Sequence, residues 1–590
     1  MNIRSGMRGG NAGSPWLAWL LLAAAVVLGA CSERPEEVSM PETAAQPADL
    51  VLINGGIYTV DAQRSWAQAA AVRDGAILAV GGNTDIEALI GPETRVIDLA
   101  GRMALPGFHD AHVHAADGGF SLMGCVLEDA ESVDAIIETV TACVADIDDE
   151  WLVARAFEMT LFGPQGPHKS LLDAVSRERP IVLWASDYHN VWLNSAALER
   201  SGITAGTPDP PGGVIERDPD GAPSGTLRET AQEMLLAAMP KPELAARIGA
   251  LRKGLEHLNA LGVTSYVEGW VGREDYRAYQ SLDRAGQLSA RVKTSLPYET
   301  VFGDHQGEEF WQVLEERGGY ESDRIEHSGV KLFLDGVLEG ETAALIEPYL
   351  GTDGARGELM FEPGALNEAV TRFDAMGLQV QMHAIGDGAV RAGLDAIEAA
   401  RRQNGPSDNR HHIVHLQLIH PDDVERFAAL NVTANFQALW AFPDEYITGL
   451  NLPVVGAERV QRMYPIASVV RTGGRIVGGS DWDVSSANPL DAIEVAVRRQ
   501  DPDAAGGPVL NENERVSLET MIDAYTINAA WLMHHEDAVG SIEVGKRADI
   551  VVLDRNLFEI PPTEINEARV VLTLLDGETI WPAAAEQLQE

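Results

Sequence analysis

Six polar residues stand in or at the ends of apolar, strand-like runs, and five of them, four His and one Asp, are of types that bind divalent metal ions. His112 and His114 form an H-x-H pair in PGFHDAHVHA. Side chains i and i+2 of a strand share a face, so both imidazoles can reach one ion. Lys331 lies inside GVKLFLD, His383 ends LQVQMHA, His415 lies in HHIVHLQ, and Asp481 follows Gly-Gly-Ser in RIVGGSD. A bare ammonium inside an apolar run is costly unless it is paired or modified. Each residue alone has an ordinary reading. H-x-H by itself is a weak signal. His383 and His415 fit hydrogen-bonded core histidines, Lys331 fits an ion pair with Asp335 or Glu268, and Asp481 fits a cap on the next turn. Chance does not readily supply the ordered set, each member at a strand-like run.

The elements that position these residues read as alternating strands and helices. Strand-like runs fall at 181–186, 262–268, 291–297, 329–335, 378–384, 411–417, 431–437 and 475–481. Amphipathic stretches such as PGALNEAVTRFDAMG and PDDVERFAALN lie between several of them. This is the pattern of an α/β protein with a parallel sheet, and the spacing of the later runs suits a (β/α)8 TIM-like barrel over 107–535. Such barrels carry their active sites at the C-terminal ends of the strands. The stretch 120–245 is too long for one connection and predicts an insertion, in which TPDPPGG (207–213) is a rigid turn. Residues 49–106 and 536–590 are rich in short β runs, with Asp74-Gly75 and Asp576-Gly577 as hairpin signals. They predict a small β-sandwich domain built from both termini.

The N-terminus is of another kind. Arg4 and Arg8 precede the apolar run Trp16–Ala30, which is short for a membrane span and suits a signal segment over 1–30. The run ends Leu-Gly-Ala-Cys31, which resembles the bacterial lipobox and implies lipidation of Cys31. Ser32, where an Asp would retain the protein at the inner membrane, directs the expectation to the outer one. Residues 31–48, acidic and Pro-containing, read as a tether. The expected location is therefore the cell envelope, lipid-anchored on the periplasmic side. Cys125 and Cys143 remain; in an oxidising compartment they could pair, and buried free thiols are an equal alternative.

The chain has 590 residues, 45% apolar and 23% charged, with a formal net charge of −45. Such composition excludes a disordered or multi-span membrane protein. The acidic excess repels phosphate and excludes nucleic acid and anionic membrane surfaces as partners. Its plain role is solubility, and its sharper one the steering of cationic substrates.

Across residues 49–585 the chain resembles the amidohydrolase superfamily of metal-dependent hydrolases, and within it the YtcJ-like group that includes N-substituted formamide deformylases. The resemblance rests on PGFHDAHVH (106–114), DYHNVWLNSAAL (187–198), TPDPPGGVIERDPDGAPSGTLRE (207–229), LGVTSYVE (261–268), GVKLFLDG (329–336), MHAIGDGAV (382–390), VHLQLIHPDD (414–423), GGSDWDV (478–484) and VGSIEVGKRADIVVLD (539–554). It implies that His112 and His114 bind the more buried of two metals. Lys331, carboxylated on its amine, would bridge both, and His383 and His415 would hold the second. Asp481 would contact the metal-bound hydroxide and pass its proton to the leaving amine. His189 would face the substrate carbonyl, Trp192 would pack, and Asp387 would support His383. The implied cofactor is one or two divalent ions, zinc first.

The sequence departs from the group at Glu339 and Glu341, which add negative charge near the pocket, at Val414, where Glu is common, and at Asp483, where Pro is frequent. Glu268 is an alternative metal ligand. The expected activity is hydrolysis of a non-peptide C–N bond in a small-molecule amide. An ester or cyclic amide is the runner-up on the same scaffold, and a non-catalytic solute-binding envelope lipoprotein is the rival.

Overall fold

The computed structural model describes residues 47–127, 130–163, 165–299 and 307–582. The expected signal segment, Cys31 and the tether as far as residue 46 lie outside the described residues.

Eight parallel strands make the central sheet: β1 (Phe108–Val113), β2 (Val263–Glu268), β3 (Arg291–Pro297), β4 (Ile325–Phe333), β5 (Gln379–Ala384), β6 (His412–His415), β7 (Thr433–Phe436) and β8 (Ile476–Gly478). They pair in chain order, each with the next. The sheet curls until its ends meet. There Asp481 N donates to His112 O at 2.8 Å and His114 N to Trp482 O at 2.7 Å. Gly479 permits this approach, because a Cβ at that position would sit 2.9 Å from the His112 backbone nitrogen. Strands in such a barrel are covered on both faces, and every residue of β1, β2 and β5 is buried.

Helices cover the outside. Pro363–Ala375 begins with Pro at its first turn and buries Leu366, Ala369, Val370 and Phe373, a 3–4 spacing that makes one apolar face. Asp387–Asn404 buries Ala389, Val390, Leu394 and Ile397 in the same way and stops at Gly405, whose φ is +87°. The two helices flank β5 in sequence and fix the strand that ends in His383.

One expected strand falls in the stretch that predicts an insertion. Ile181–Ala185 is not in the barrel but in a six-stranded inserted sheet, beside Asn190–Leu193 and Leu152–Phe157. A short apolar run reads alike in any doubly covered sheet. The barrel's remaining strand is the H-x-H segment itself, β1. Cys125, on the edge of the inserted sheet, is disulfide-bonded to Cys143 in the helix Val133–Asp146.

The chain ends form a four-stranded and a six-stranded sheet, the latter pairing Met103–Pro106 with Ile550–Leu553. Leu52, Val72 and Ile77 from one and Ile550, Val552 and Leu572 from the other share an apolar core. Both expected hairpin turns are present. Asp74-Gly75 and Asp576-Gly577 have positive φ at both positions, as tight hairpins require. Arg291 of β3 donates to Asp549 at 2.9 Å and also pairs with Asp576, tying the barrel to the six-stranded sheet.

Candidate metal centre and active site

The C-terminal ends of β1, β4, β5, β6 and β8 bring His112, His114, Lys331, His383, His415 and Asp481 to one cavity of about 1260 Å³. Asp481 is the hub. Its Oδ1 lies 3.1 Å from His112 Nε2 and 3.2 Å from His114 Nε2, and its Oδ2 lies 3.8 Å from His415 Nδ1. One donor atom each from His112, His415 and Asp481 falls within 4.8 Å of the others, the compactness one metal ion needs. His383 adjoins this group, its ring centroid 4.5 Å from that of His415. Lys331 Nζ is 3.4 Å from His112 Nε2. Gly269 leaves room for the H-x-H pair, since a Cβ there would lie 2.3 Å from His112 Cε1.

The backbone carries strain at the centre. His415 and Asp481 hold φ of +79° and +56°, sparsely populated values for residues with a Cβ. Both turns aim a polar side chain into the cavity where the strand ends.

The electrostatics suit metal ligands. Burial pushes His112 down to about 3, and the Lys331 charge adds to this, so its imidazole is neutral and free to coordinate. Burial lowers His383 and His415 well below the usual histidine range. At His114 burial opposes the charge, but the hydrogen bond and charge of Asp481, with Glu268, raise the pKa. Burial lowers Lys331 to about 8. Three neutral imidazoles, His112, His383 and His415, beside the Asp481 carboxylate make a donor set that fits a divalent ion of zinc type.

Two glutamines, not picked out in the sequence, sit behind the ligands. Gln437 Oε1 is 2.9 Å from His415 Nδ1, so Nδ1–H donates to it and Nε2 keeps its lone pair. Gln381 Nε2 sits 2.5 Å from His112 Nδ1 while Gln381 Oε1 has no partner. Exchanging the two amide atoms by rotation lets Nδ1–H donate to Oε1 and frees His112 Nε2 for coordination. Neither glutamine belongs to a motif. The available signal was position: each lies two residues from another inward-facing polar residue, His383 or Asn435.

His189 reaches the cavity from the inserted sheet. Its ring centroid is 5.7 Å from that of His383, and its Nδ1 is 2.9 Å from Glu229 Oε2. Trp192 is fully buried against Phe157 and Phe162, as expected.

Several expectations need correction. Asp387 is not the carboxylate beside His383; its Oδ1 accepts from Ile346 N. Asp335 takes that place, 3.8 Å from His383 Nε2, while its oxygens also accept the amides of Ala344, Ile385 and Gly386. That consumes Asp335 and leaves it no pairing with Lys331. Glu268 is likewise engaged, accepting from Tyr279 OH at 2.6 Å and Ala115 N at 3.0 Å, with its other oxygen 3.9 Å from His114. Glu339 lines the cavity, whereas Glu341 is exposed and outside the lining.

The model of the Amidohydrolase family matches residues 95–581. The chain is 30% identical to Protein LONG AFTER FAR-RED 3 of Arabidopsis thaliana, over 92% of this chain and 93% of that one. It is 28% identical to N-substituted formamide deformylase of Arthrobacter pascens, over 90% and 98%. A solved metal-dependent hydrolase of Pyrococcus horikoshii superposes with a TM-score of 0.70 at 23% identity, covering 87% of this chain and 99% of that one, which shows the shared fold. With the family match spanning the whole barrel and the inserted sheet, 95–581 of 590 residues, the chain belongs to the amidohydrolase family.

Proposed function

We propose that this amidohydrolase cleaves the C–N bond of a small-molecule amide, with His112, His114, His383, His415 and Asp481 as ligands of one or two zinc ions and a carboxylated Lys331 between them. The observation that carries the reading is the Asp481 carboxylate within reach of His112, His114 and His415 at the floor of a large cavity. A bound divalent ion would lower the pKa of water and polarise the scissile carbonyl. Asp481 accepts the proton of the attacking water on its carboxylate and delivers it to the departing amine. His189, protonated and held through Nδ1 by Glu229, donates from Nε2 to the carbonyl oxygen. Lys331 is buried with a pKa of about 8, so a usable fraction is the neutral amine that can add carbon dioxide.

The similarity to an N-substituted formamide deformylase supports a non-peptide amide over an ester or cyclic amide. The test is a screen of zinc-loaded protein against N-formyl, N-acetyl and N-acyl amides for released amine. Bound metal near one to two equivalents and amine release are expected. Folded protein that binds no metal would overturn the enzyme reading in favour of a solute-binding role.

We also propose that the mature chain begins at a lipidated Cys31 and sits on the periplasmic side of the outer membrane. The lipobox-like Leu-Gly-Ala-Cys31 supports it, and so does the Cys125–Cys143 disulfide, a feature of oxidising compartments. The two terminal segments, 49–106 and 536–590, are read as one small domain on the strength of their shared core.

A further inference from the structure

Eleven carboxylates and four Lys or Arg side chains line the cavity among the described residues. The four cations have other company or work: Arg155 contacts Tyr188 OH, Arg247 pairs with Asp275, Lys241 has a partner of its own, and Lys331 is at the metal centre. The acidic side chains are not spread evenly. Asp187 follows Ser186, whose hydroxyl meets Tyr446 OH at 3.1 Å, Asp444 is two residues before Tyr446, and Glu339 lines the same cavity. Asp187 and Glu339 both act on Tyr446, and Asp444 and Glu339 both act on Tyr464. None of the three carboxylates has a Lys or Arg ion-pair partner among the described residues. His189, the cation that Asp187 and Glu339 face, is already committed to Glu229.

A second feature of this wall points to a ligand. The π-helix Tyr446–Asn451 begins two residues after Asp444, and Tyr446, Ile447 and Asn451 from it line the cavity. Asn451 is 1% exposed, yet its Oδ1 has no hydrogen-bond partner. A buried acceptor left empty is unfavourable unless a donor arrives to fill it. Acceptors and aromatic faces without a resident cation are the chemistry that receives an ammonium or guanidinium group.

We propose that Glu339, Asp187, Asp444 and Asn451, with the Tyr446 ring, form a subsite for a cationic group at the non-reacting end of the substrate. The enzyme then selects amides that carry an ammonium or guanidinium away from the scissile bond. The inference rests on the amide-hydrolase reading above for its reaction, but the subsite itself stands on the wall geometry. Burial, with the charges of Asp187 and Glu229, pushes the Glu339 carboxyl up to about 7, and an arriving cation relieves that repulsion. The acidic net charge supplies the same preference at longer range.

The experiment has a binding arm and a kinetic arm, both on the full-length zinc-loaded protein. Calorimetric titration compares n-hexylammonium with 1-hexanol in wild type and in Glu339→Gln. The cation should bind wild type more tightly, and the variant should lose at least about tenfold of that affinity. Hydrolysis compares N-acetyl-1,5-diaminopentane with its neutral isostere N-hexylacetamide. The ratio of kcat/KM should favour the cationic amide, fall at least about fivefold in Glu339→Gln, and fall as salt is raised from about 50 to about 500 mM. Thermal melting accompanies both arms; replacing a carboxyl that nothing pairs should leave the melting temperature unchanged or raised. A cation preference in binding without turnover of either amide would sink the amide reading and keep the subsite. Turnover of both amides at equal efficiency, with hexylammonium affinity unchanged in Glu339→Gln, would sink the subsite and keep the amide reading.

Discussion

Glu229 and His189 stand 40 residues apart in sequence, and Glu229 Oε2 lies 2.9 Å from His189 Nδ1. The backbone joins them as well, because Glu229 N donates to His189 O at 3.0 Å. Glu229 Oε1 accepts from Thr342 OH at 2.7 Å, and the residue holds a φ of +48° to present both oxygens. One strained glutamate thus fixes the tautomer, orientation and charge of the histidine that faces the cavity.

That pairing has a pH signature. Burial works against a charged His189, but the charge and hydrogen bond of Glu229, with Asp187 behind, raise its pKa to about 9 from 6.5. Below pH 6.5 the imidazole is charged both folded and unfolded, and the pairing stabilises the fold in full. Between 6.5 and 9 only the folded form stays protonated, and the contribution declines; above 9 it is gone. The melting temperature of wild type should therefore exceed that of Glu229→Gln most at low pH, and the gap should close as pH rises through 9. A gap that does not vary with pH would remove the charged His189 from the account. Turnover by wild type should fall over the same upper limb, since the donor to the carbonyl oxygen is then lost.

Asp481 touches three histidines, so its replacement separates holding the metal from moving the proton. Asp481→Asn keeps an oxygen in place but cannot accept the proton of the attacking water. Metal content should stay within a factor of about two, while kcat falls at least about 100-fold. Unchanged hydrolysis in that variant would exclude Asp481 as the proton carrier.

The Gln437 amide oxygen accepts from His415 Nδ1–H, which leaves Nε2 with the lone pair a metal would need. Gln437→Met keeps the volume and removes the acceptor, so metal affinity should weaken about 10- to 100-fold. At saturating zinc, kcat should recover most of its value. A metal Kd equal to wild type would show that His415 is oriented by packing alone.

Legibility followed from how each residue announces itself. The candidate ligands could be read because each stands in or near the end of a strand and is a poor fit to its apolar surroundings; a buried Lys331 or the His112–His114 pair is conspicuous. Gln381 and Gln437 are not, because an amide is tolerated almost anywhere. Glu229 lies in a stretch that matched the family, but its partner is 40 residues away and is brought to it by pairing of Asn190 with Arg228 across two strands. Closeness in sequence points to Asp387 as the carboxylate beside His383, whereas Asp335 comes from just past the end of the neighbouring strand β4. The strand Ile181–Ala185 shows the same limit: burial on both faces is legible, but which strands it pairs with is a long-range fact.

The anchor carries a prediction of its own. Cys31→Ser removes the thiol that a lipid would modify. The protein should then leave the membrane fraction and retain its amide turnover, because the candidate metal ligands and His189 all lie between residues 112 and 481. Membrane retention equal to wild type would refute the lipid anchor.

The disulfide lies on the same inserted sheet that carries His189, at its far edge. Cys125 and Cys143 are 18 residues apart, and closing a loop of that size stabilises a domain by about 3 kcal/mol in the chain-entropy view. Cys125 also lines the cavity. Cys143→Ser should therefore lower the melting temperature and loosen the cavity wall, raising KM, while the metal centre on the barrel strands keeps its zinc. Loss of metal in parallel with the melting shift would show that the inserted sheet and the barrel unfold as one unit. Retained metal with raised KM would confirm that the barrel builds the centre and the insertion shapes what enters it.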